Sequence, residues 1–184
     1  MSDRFFDVYH KPGDVPNFCY RSGMMVYEEK FYNGALISCG YNASGYPLDV
    51  LSNFPSHIDR RYYTEPYSFN IEIDGRSVDY GLTLKDFKVD KTENSAHAVL
   101  TLDSCEMPIR LYVHTVLDGS QMFTRYIEIE NLSEKTVCLS RLSLISGGLE
   151  DMDIERLTSS RNVSEFYSYG CFADDRWGRE GEFV

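Results

Sequence analysis

From residue 67 onward apolar and polar residues alternate with a period of two, run after run, and this pattern constrains the fold more than any other feature of the chain. A strand turns successive side chains to opposite faces, whereas a helix repeats every 3.6 residues, so such runs specify strands with one buried and one wetter face. Phe69, Ile71 and Ile73 alternate with Asn70 and Glu72 and end at Asp74-Gly75, a dipeptide suited to the positive φ of a hairpin turn. Val78, Tyr80, Leu82 and Leu84 follow at once and are expected to complete a hairpin with the first run. After the polar break Lys91 to Ser95 come Ala96 to Leu102, then Ile109, Leu111, Val113, Thr115 and Leu117 on one face of a longer strand. Asp118-Gly119 marks a turn, and Phe123, Arg125, Ile127 and Ile129 alternate with Thr124, Tyr126, Glu128 and Glu130. A further strand is expected over Val137 to Ile145. Short strands at this spacing predict an all-β fold, an antiparallel β-sandwich whose core includes Phe69, Ile71, Leu82, Leu111, Val113, Ile127, Ile129 and Leu142. Helix is scarce: Leu149 to Leu157 is the best candidate and reads equally as an acidic loop. Upstream, Met24 to Tyr32 contains one or two strands, while Ser44 to Arg61, with Gly45, Pro47, Asn53 and Pro55, reads as a long surface loop.

The length of 184 residues suits one domain that buries roughly 70% of its unfolded surface. It cannot hold an eight-fold α/β barrel, which takes about 250. The net charge of −11 repels phosphate backbones and anionic lipid, so neither nucleic acid nor a membrane surface is expected as a partner. No run of about 18 apolar residues occurs, and the amino-terminal Met-Ser-Asp-Arg-Phe-Phe-Asp does not read as a secretory signal. Cys19, Cys39, Cys105, Cys138 and Cys171 are odd in number and contain no Cys-x-x-Cys. They are expected to be reduced, mostly packed thiols of a cytoplasmic protein. On that expectation the sequons at Asn42, Asn131 and Asn162 are chance matches.

His10, His57, His97 and His114 show no metal-ligand spacing and read as ordinary surface or sheet histidines. Neither Gly-x-Ser-x-Gly, Gly-x-Gly-x-x-Gly nor a P-loop occurs, so no cofactor is expected. Two regions combine groups that recognise sugars. In the first, Asp49 and Asp59 precede Arg60-Arg61 and Tyr62-Tyr63. Carboxylate and guanidinium hydrogen-bond to vicinal hydroxyls, and aromatic rings stack on the apolar face of a sugar. The second, Phe166 to Glu180, holds Tyr167, Tyr169, Phe172, Asp174, Asp175, Arg179 and the only tryptophan, Trp177. Composition alone is met as well by a solvated charged loop in the first region and a core plug at Trp177 in the second.

The stretch from Met122 through Thr124-Arg125 and Glu130-Asn131 to Ser143 resembles a segment of glycoside hydrolase family 36 α-galactosidases, in which a strand carrying Thr-Arg leads to a Glu-Asn turn and a Leu-rich strand. Trp177-Gly-Arg-Glu resembles the Trp-x-Arg-Glu that follows in the same family, and Asp59-Arg60-Arg61 resembles its Asp-x-Arg loop, with Asp49 twelve positions before Arg61. The resemblance covers about residues 25 to 184. It implies the amino-terminal, supersandwich-like β-sandwich of a three-part enzyme whose central barrel carries two catalytic aspartates. The chain is then expected to be a fragment, truncated soon after Trp-Gly-Arg-Glu, without the barrel and inactive alone. Retaining hydrolysis needs two carboxyl groups about 5 to 5.5 Å apart, and Asp174 and Asp175, adjacent on a strand, would face opposite ways.

By the same resemblance Asp49, Asp59 and Arg61 reach a neighbouring subunit's active site and bind the terminal galactose, with Trp177 as a further contact. The partners implied are galactosides, the missing barrel and further copies of the chain in a homo-oligomer. The main alternative is a free-standing carbohydrate-binding module, and a third is a purely structural domain.

Overall fold

The computed structural model describes residues 5–43, 45, 67–144, 171–172 and 179–180. The described residues form strands, turns and irregular segments with no helix, and every strand pairing is antiparallel. The antiparallel β-sandwich read from the alternation is the observed fold.

The first sheet is a meander of four strands in chain order: β1 (Phe6–Lys11), β2 (Asn17–Ser22), β3 (Met25–Tyr32) and β4 (Ala35–Asn42). The stretch Met24 to Tyr32, where the sequence predicts one or two strands, supplies one, β3, and the other three strands of the sheet lie outside it. Their turns carry the signal: Gly23 at φ +59 closes β2 onto β3, and Asn33-Gly34, at φ +50 and +73, closes β3 onto β4 as a type I′ turn.

A second meander, β7 (Leu82–Lys91), β8 (Ala96–Ser104), β9 (Ile109–Leu117) and β10 (Phe123–Asn131), makes the opposing sheet, with β10 and β7 at its edges. Between the meanders in sequence lie β5 (Asn70–Ile73) and β6 (Arg76–Ser77), which form a third sheet with β11 (Leu139–Ser143). Cys171–Phe172 and Arg179–Glu180, β12 and β13, pair with each other.

The predicted hairpin over residues 69–84 forms only in part. Asp74-Gly75 makes the expected turn, but β6 stops after two residues and Leu82 opens β7 in another sheet. The cause is Asp79, which is 2% exposed. Its carboxylate accepts from the amide N–H of Ile71 at 2.5 Å, from Ser77 Oγ at 2.9 Å and from the side-chain amide of Asn70. Those bonds curl the chain back on the first strand, and Gly81 at φ +64 then releases it toward β7.

The two four-stranded sheets pack face to face with β1 over β8 and β2 over β9. One parity of each strand fills the space between them. Phe18, Tyr20 and Leu36 face Ala98, Leu100, Leu102, Leu111, Val113 and Leu117, and Phe69, Ile71, Ile73 and Val78 close one side. Each such side chain withdrawn from water contributes about 1.5–3 kcal/mol. Of the expected core, Phe69, Ile71, Leu82, Leu111 and Val113 are buried, and Ile127 and Ile129 pack half-buried on an edge strand. Leu142 is 45% exposed, a correction that follows from the shift in register between Leu139 and Arg141, which leaves β11 solvated.

Cys19 is buried, Cys39 half-buried, and Cys105 and Cys138 exposed, so packing holds for one thiol fully and fails for two. The described residues contain no helix long and apolar enough to cross a membrane. The helical candidate Leu149 to Leu157 and most of the loop Ser44 to Arg61 fall outside the described residues.

Candidate functional site

The second sheet presents a different chemistry on each face, and both faces gather polar side chains around strands β9 and β10. Inward, Arg125 of β10 lies opposite Thr115 of β9 and points between the sheets. Its Nη2 donates to Glu29 Oε1 of β3 at 2.6 Å, and Nη1 donates to Glu29 Oε2 at 3.3 Å and to Thr115 Oγ1 at 3.2 Å. Tyr27 Oη donates to the same Glu29 Oε1 at 2.9 Å, and the guanidinium sits over the Tyr27 ring. The side chains of Arg125 and Glu29 are 5% and 0% exposed.

Burial works against the charge of Arg125, but Glu29, with Tyr27 and Tyr20, outweighs it and drives its pKa above the usual value. Burial and the Glu29 charge likewise raise the hydroxyls of Tyr27 and Tyr20, so both stay protonated. The arrangement cross-links residues 96 apart in sequence. A fork of two parallel N–H···O bonds to a carboxylate fixes orientation as well as distance, so the contact sets how the two sheets lie on each other.

Outward, β8, β9 and β10 carry a ladder of polar and aromatic groups. Arg110 grips Asp103, its directly opposite neighbour, through Nε to Oδ1 at 2.6 Å and Nη2 to Oδ2 at 3.0 Å. That hydrogen bond, with Arg110's charge and Lys85 adding to it against slight burial, holds Asp103 below the usual carboxylate range. Tyr112 Oη donates to Glu130 Oε2 at 2.8 Å. Between these pairs, His97 Nε2 and His114 Nδ1 share a hydrogen bond of 2.9 Å. The ring of Tyr126 stacks on His114 with centroids 4.3 Å apart and planes 6° from parallel. Glu128 Oε2 lies 3.7 Å from His114 Nε2. Among the described residues no group of three or more His, Cys, Asp or Glu side chains converges as a metal site.

The residues singled out from the sequence, Asp49, Asp59, Arg61 and Trp177, all lie outside the described residues, as do Asp174 and Asp175. The structure therefore assembles a different set. The histidine pair escapes sequence inspection because 17 residues separate its members, and only the β8–β9 register brings them together. Both sit on the outward parity of their runs, between buried Ala96 and Ala98 on one strand and buried Val113 and Thr115 on the other. That shared parity is the signal from which the pair could have been found.

No family model, curated protein or solved structure matches this chain.

Proposed function

We propose that this chain is the non-catalytic amino-terminal β-sandwich domain of an α-galactosidase-like glycoside hydrolase. In this reading it supports a catalytic barrel, helps build a homo-oligomer, and lends Asp49, Asp59, Arg61 and Trp177 to galactoside binding. The observation that carries the reading is where the family-like segment falls. Met122 to Ser143 runs through β10, the turn after Asn131 and β11, and the Arg of its Thr-Arg pair is the inter-sheet clasp. A motif whose arginine is spent inside a sandwich belongs to a scaffold. Exposed free thiols at Cys105 and Cys138 suit a reducing compartment, which supports a cytoplasmic setting.

A second reading, a free-standing carbohydrate-binding module, draws support from the outward face of the second sheet, where Tyr112 and Tyr126 stand among hydrogen-bonding side chains. Three measurements separate the readings. Expression of the complete reading frame is expected to yield turnover of an aryl α-galactoside, and the purified 184-residue chain none. Titration of the chain with galactose or an α-galactoside in a calorimeter is expected to give no heat. Millimolar binding would favour the module, whereas turnover by the chain alone, or a complete frame without a barrel, would overturn the proposal.

A further inference from the structure

The polar partners of the histidine pair are counted out in a way that admits one proton and resists a second. One proton between His97 Nε2 and His114 Nδ1 makes their 2.9 Å contact a hydrogen bond; two make it a clash of donors. Among the described residues His114 Nε2 has no hydrogen-bond partner although the residue is only 7% exposed, and it faces Glu128 Oε2 at 3.7 Å. One tautomer fits these groups: Nε2–H of His97, whose nitrogen also lies 3.5 Å from Tyr126 Oη, donates to Nδ1 of His114, whose own Nε2–H points toward Glu128. Both groups that hold His114 from the other side, Tyr126 and Glu128, belong to β10, the edge strand of the sheet.

We propose that His97 and His114 form a one-proton latch that fastens edge strand β10 to its sheet, and that protonation of the second imidazole releases it. A proton added at Nδ1 of His97 leaves the shared bond intact. The next must go to Nδ1 of His114, the acceptor of that bond, so the bond is lost and two imidazolium rings meet at contact distance.

Among the described residues the surroundings do not relieve that repulsion. Glu128, with its side chain 63% exposed, is too well solvated to offset it. On the far side of β8, Asp90 stands opposite His97 and Lys88 opposite Val99, a carboxylate and an ammonium of opposing effect. Asp103 is taken by Arg110, and Tyr112 by Glu130. Burial holds His114 below its ordinary value, with Glu128 opposing and His97 adding to the depression, in the sense the geometry requires. Once Tyr126 leaves the His114 ring, β10 loses one of its outward anchors, and an edge strand so loosened offers unpaired backbone to another chain. The proposal stands independently of the glycosidase reading.

The test is a pH titration of the full chain followed by NMR of the histidine rings together with amide exchange. At neutral pH His114 is expected as the Nε2–H tautomer. On acidification, proton uptake by His114 coincides with a fall of about tenfold or more in the protection factors of Tyr126 to Glu128, while the β8–β9 amides stay protected. In His97→Gln, which keeps a donor at the same place but takes no proton, His114 is expected to titrate at higher pH and without the loss of protection. Independent titration of the two rings, unchanged behaviour of His114 in the variant, or unchanged β10 protection through both steps would overturn the latch.

Discussion

Arg110 and Arg125 sit on neighbouring strands, each gripping a carboxylate with two nitrogens, and the sheet between them gives the two pairs opposite surroundings. Arg110 and Asp103 lie on the outward face with side chains 33% and 20% exposed, whereas Arg125 and Glu29 are shut between the sheets. Nearly the same contact distance therefore does different work. In water the attraction between unit charges about 4 Å apart is about 1 kcal/mol, and it grows several-fold as the surroundings lose polarity. The buried pair has also surrendered two hydration shells, so its worth lies less in net stability than in orientation: removing either partner strands the other. The outer pair fixes a cross-strand register that the core has already fixed.

The sharpest way to break this comparison is to remove one buried charge. Glu29→Ala should cost about 3–5 kcal/mol in urea denaturation, because Arg125 is left ionised without its counter-charge. Loss of less than about 1 kcal/mol would mean that water reaches Arg125 readily and that the inner pair behaves like the outer one.

Next in size are two type I′ turns that differ in the same way, one packed and one open. At Gly34, φ +73, an added Cβ would lie 3.3 Å from the Leu82 carbonyl oxygen and 3.4 Å from its amide nitrogen, both backbone atoms. At Gly75, also φ +73, it would meet only Glu72 Oε1, at 3.9 Å. Each Gly→Ala change should cost about 1–2 kcal/mol for the left-handed backbone, with Gly34→Ala the larger. Equal losses in thermal unfolding would show that the contact with β7 gives way freely.

A smaller effect comes with pH. His10, stacked on Phe18 at 5.0 Å, and His114 are both held below the ordinary value of 6.5, in each case chiefly by burial. The unfolded chain therefore binds more protons than the folded one once the pH drops below about 6.5, so stability is full above that point and declines below it. Denaturation midpoints at about pH 7.5 and pH 5 should differ in that order, and a flat profile would contradict the burial of these rings. Smallest of all is Arg110→Ala, whose midpoint should stay close to that of the parent and approach it further in high salt.

How much of this could be read beforehand depended on which residues carried the information. Period-two alternation revealed β8, β9 and β10 because each buries one face against a second sheet, and Ile109, Leu111, Val113 and Leu117 are accordingly 0–1% exposed. The first sheet was harder to see because its central strands are buried on both sides. Cys19, Val26, Glu28 and Ile37 are enclosed along with Phe18, Tyr20 and Tyr27, so alternation is lost. Its best clue was turn chemistry, Asn33-Gly34 and Gly23. Asp79 misled for a related reason: a polar residue at an outward position looks solvated, and nothing local announces that it will fold back on Ile71. Arg125 stood at an inward position of its alternation in plain view, but its counter-ion lies 96 residues away. Pairings of that range are properties of topology, which neighbouring residues do not encode. The sugar-binding residues expected from the resemblance, Asp49, Asp59, Arg61 and Trp177, lie outside the described residues and await the binding experiments above.

The most direct test of the account is a pair of double-mutant cycles in the same buffer, Glu29→Gln with Arg125→Met across the sandwich and Asp103→Asn with Arg110→Met across its outer face. The buried cycle should return a coupling energy above about 2 kcal/mol, with the double variant more stable than Glu29→Gln alone, because removing both charges leaves neither stranded. The outer cycle should be additive within experimental error. Additivity in the buried cycle, or equal coupling in the two, would contradict the claim that the enclosed Arg125–Glu29 pair orients the two sheets.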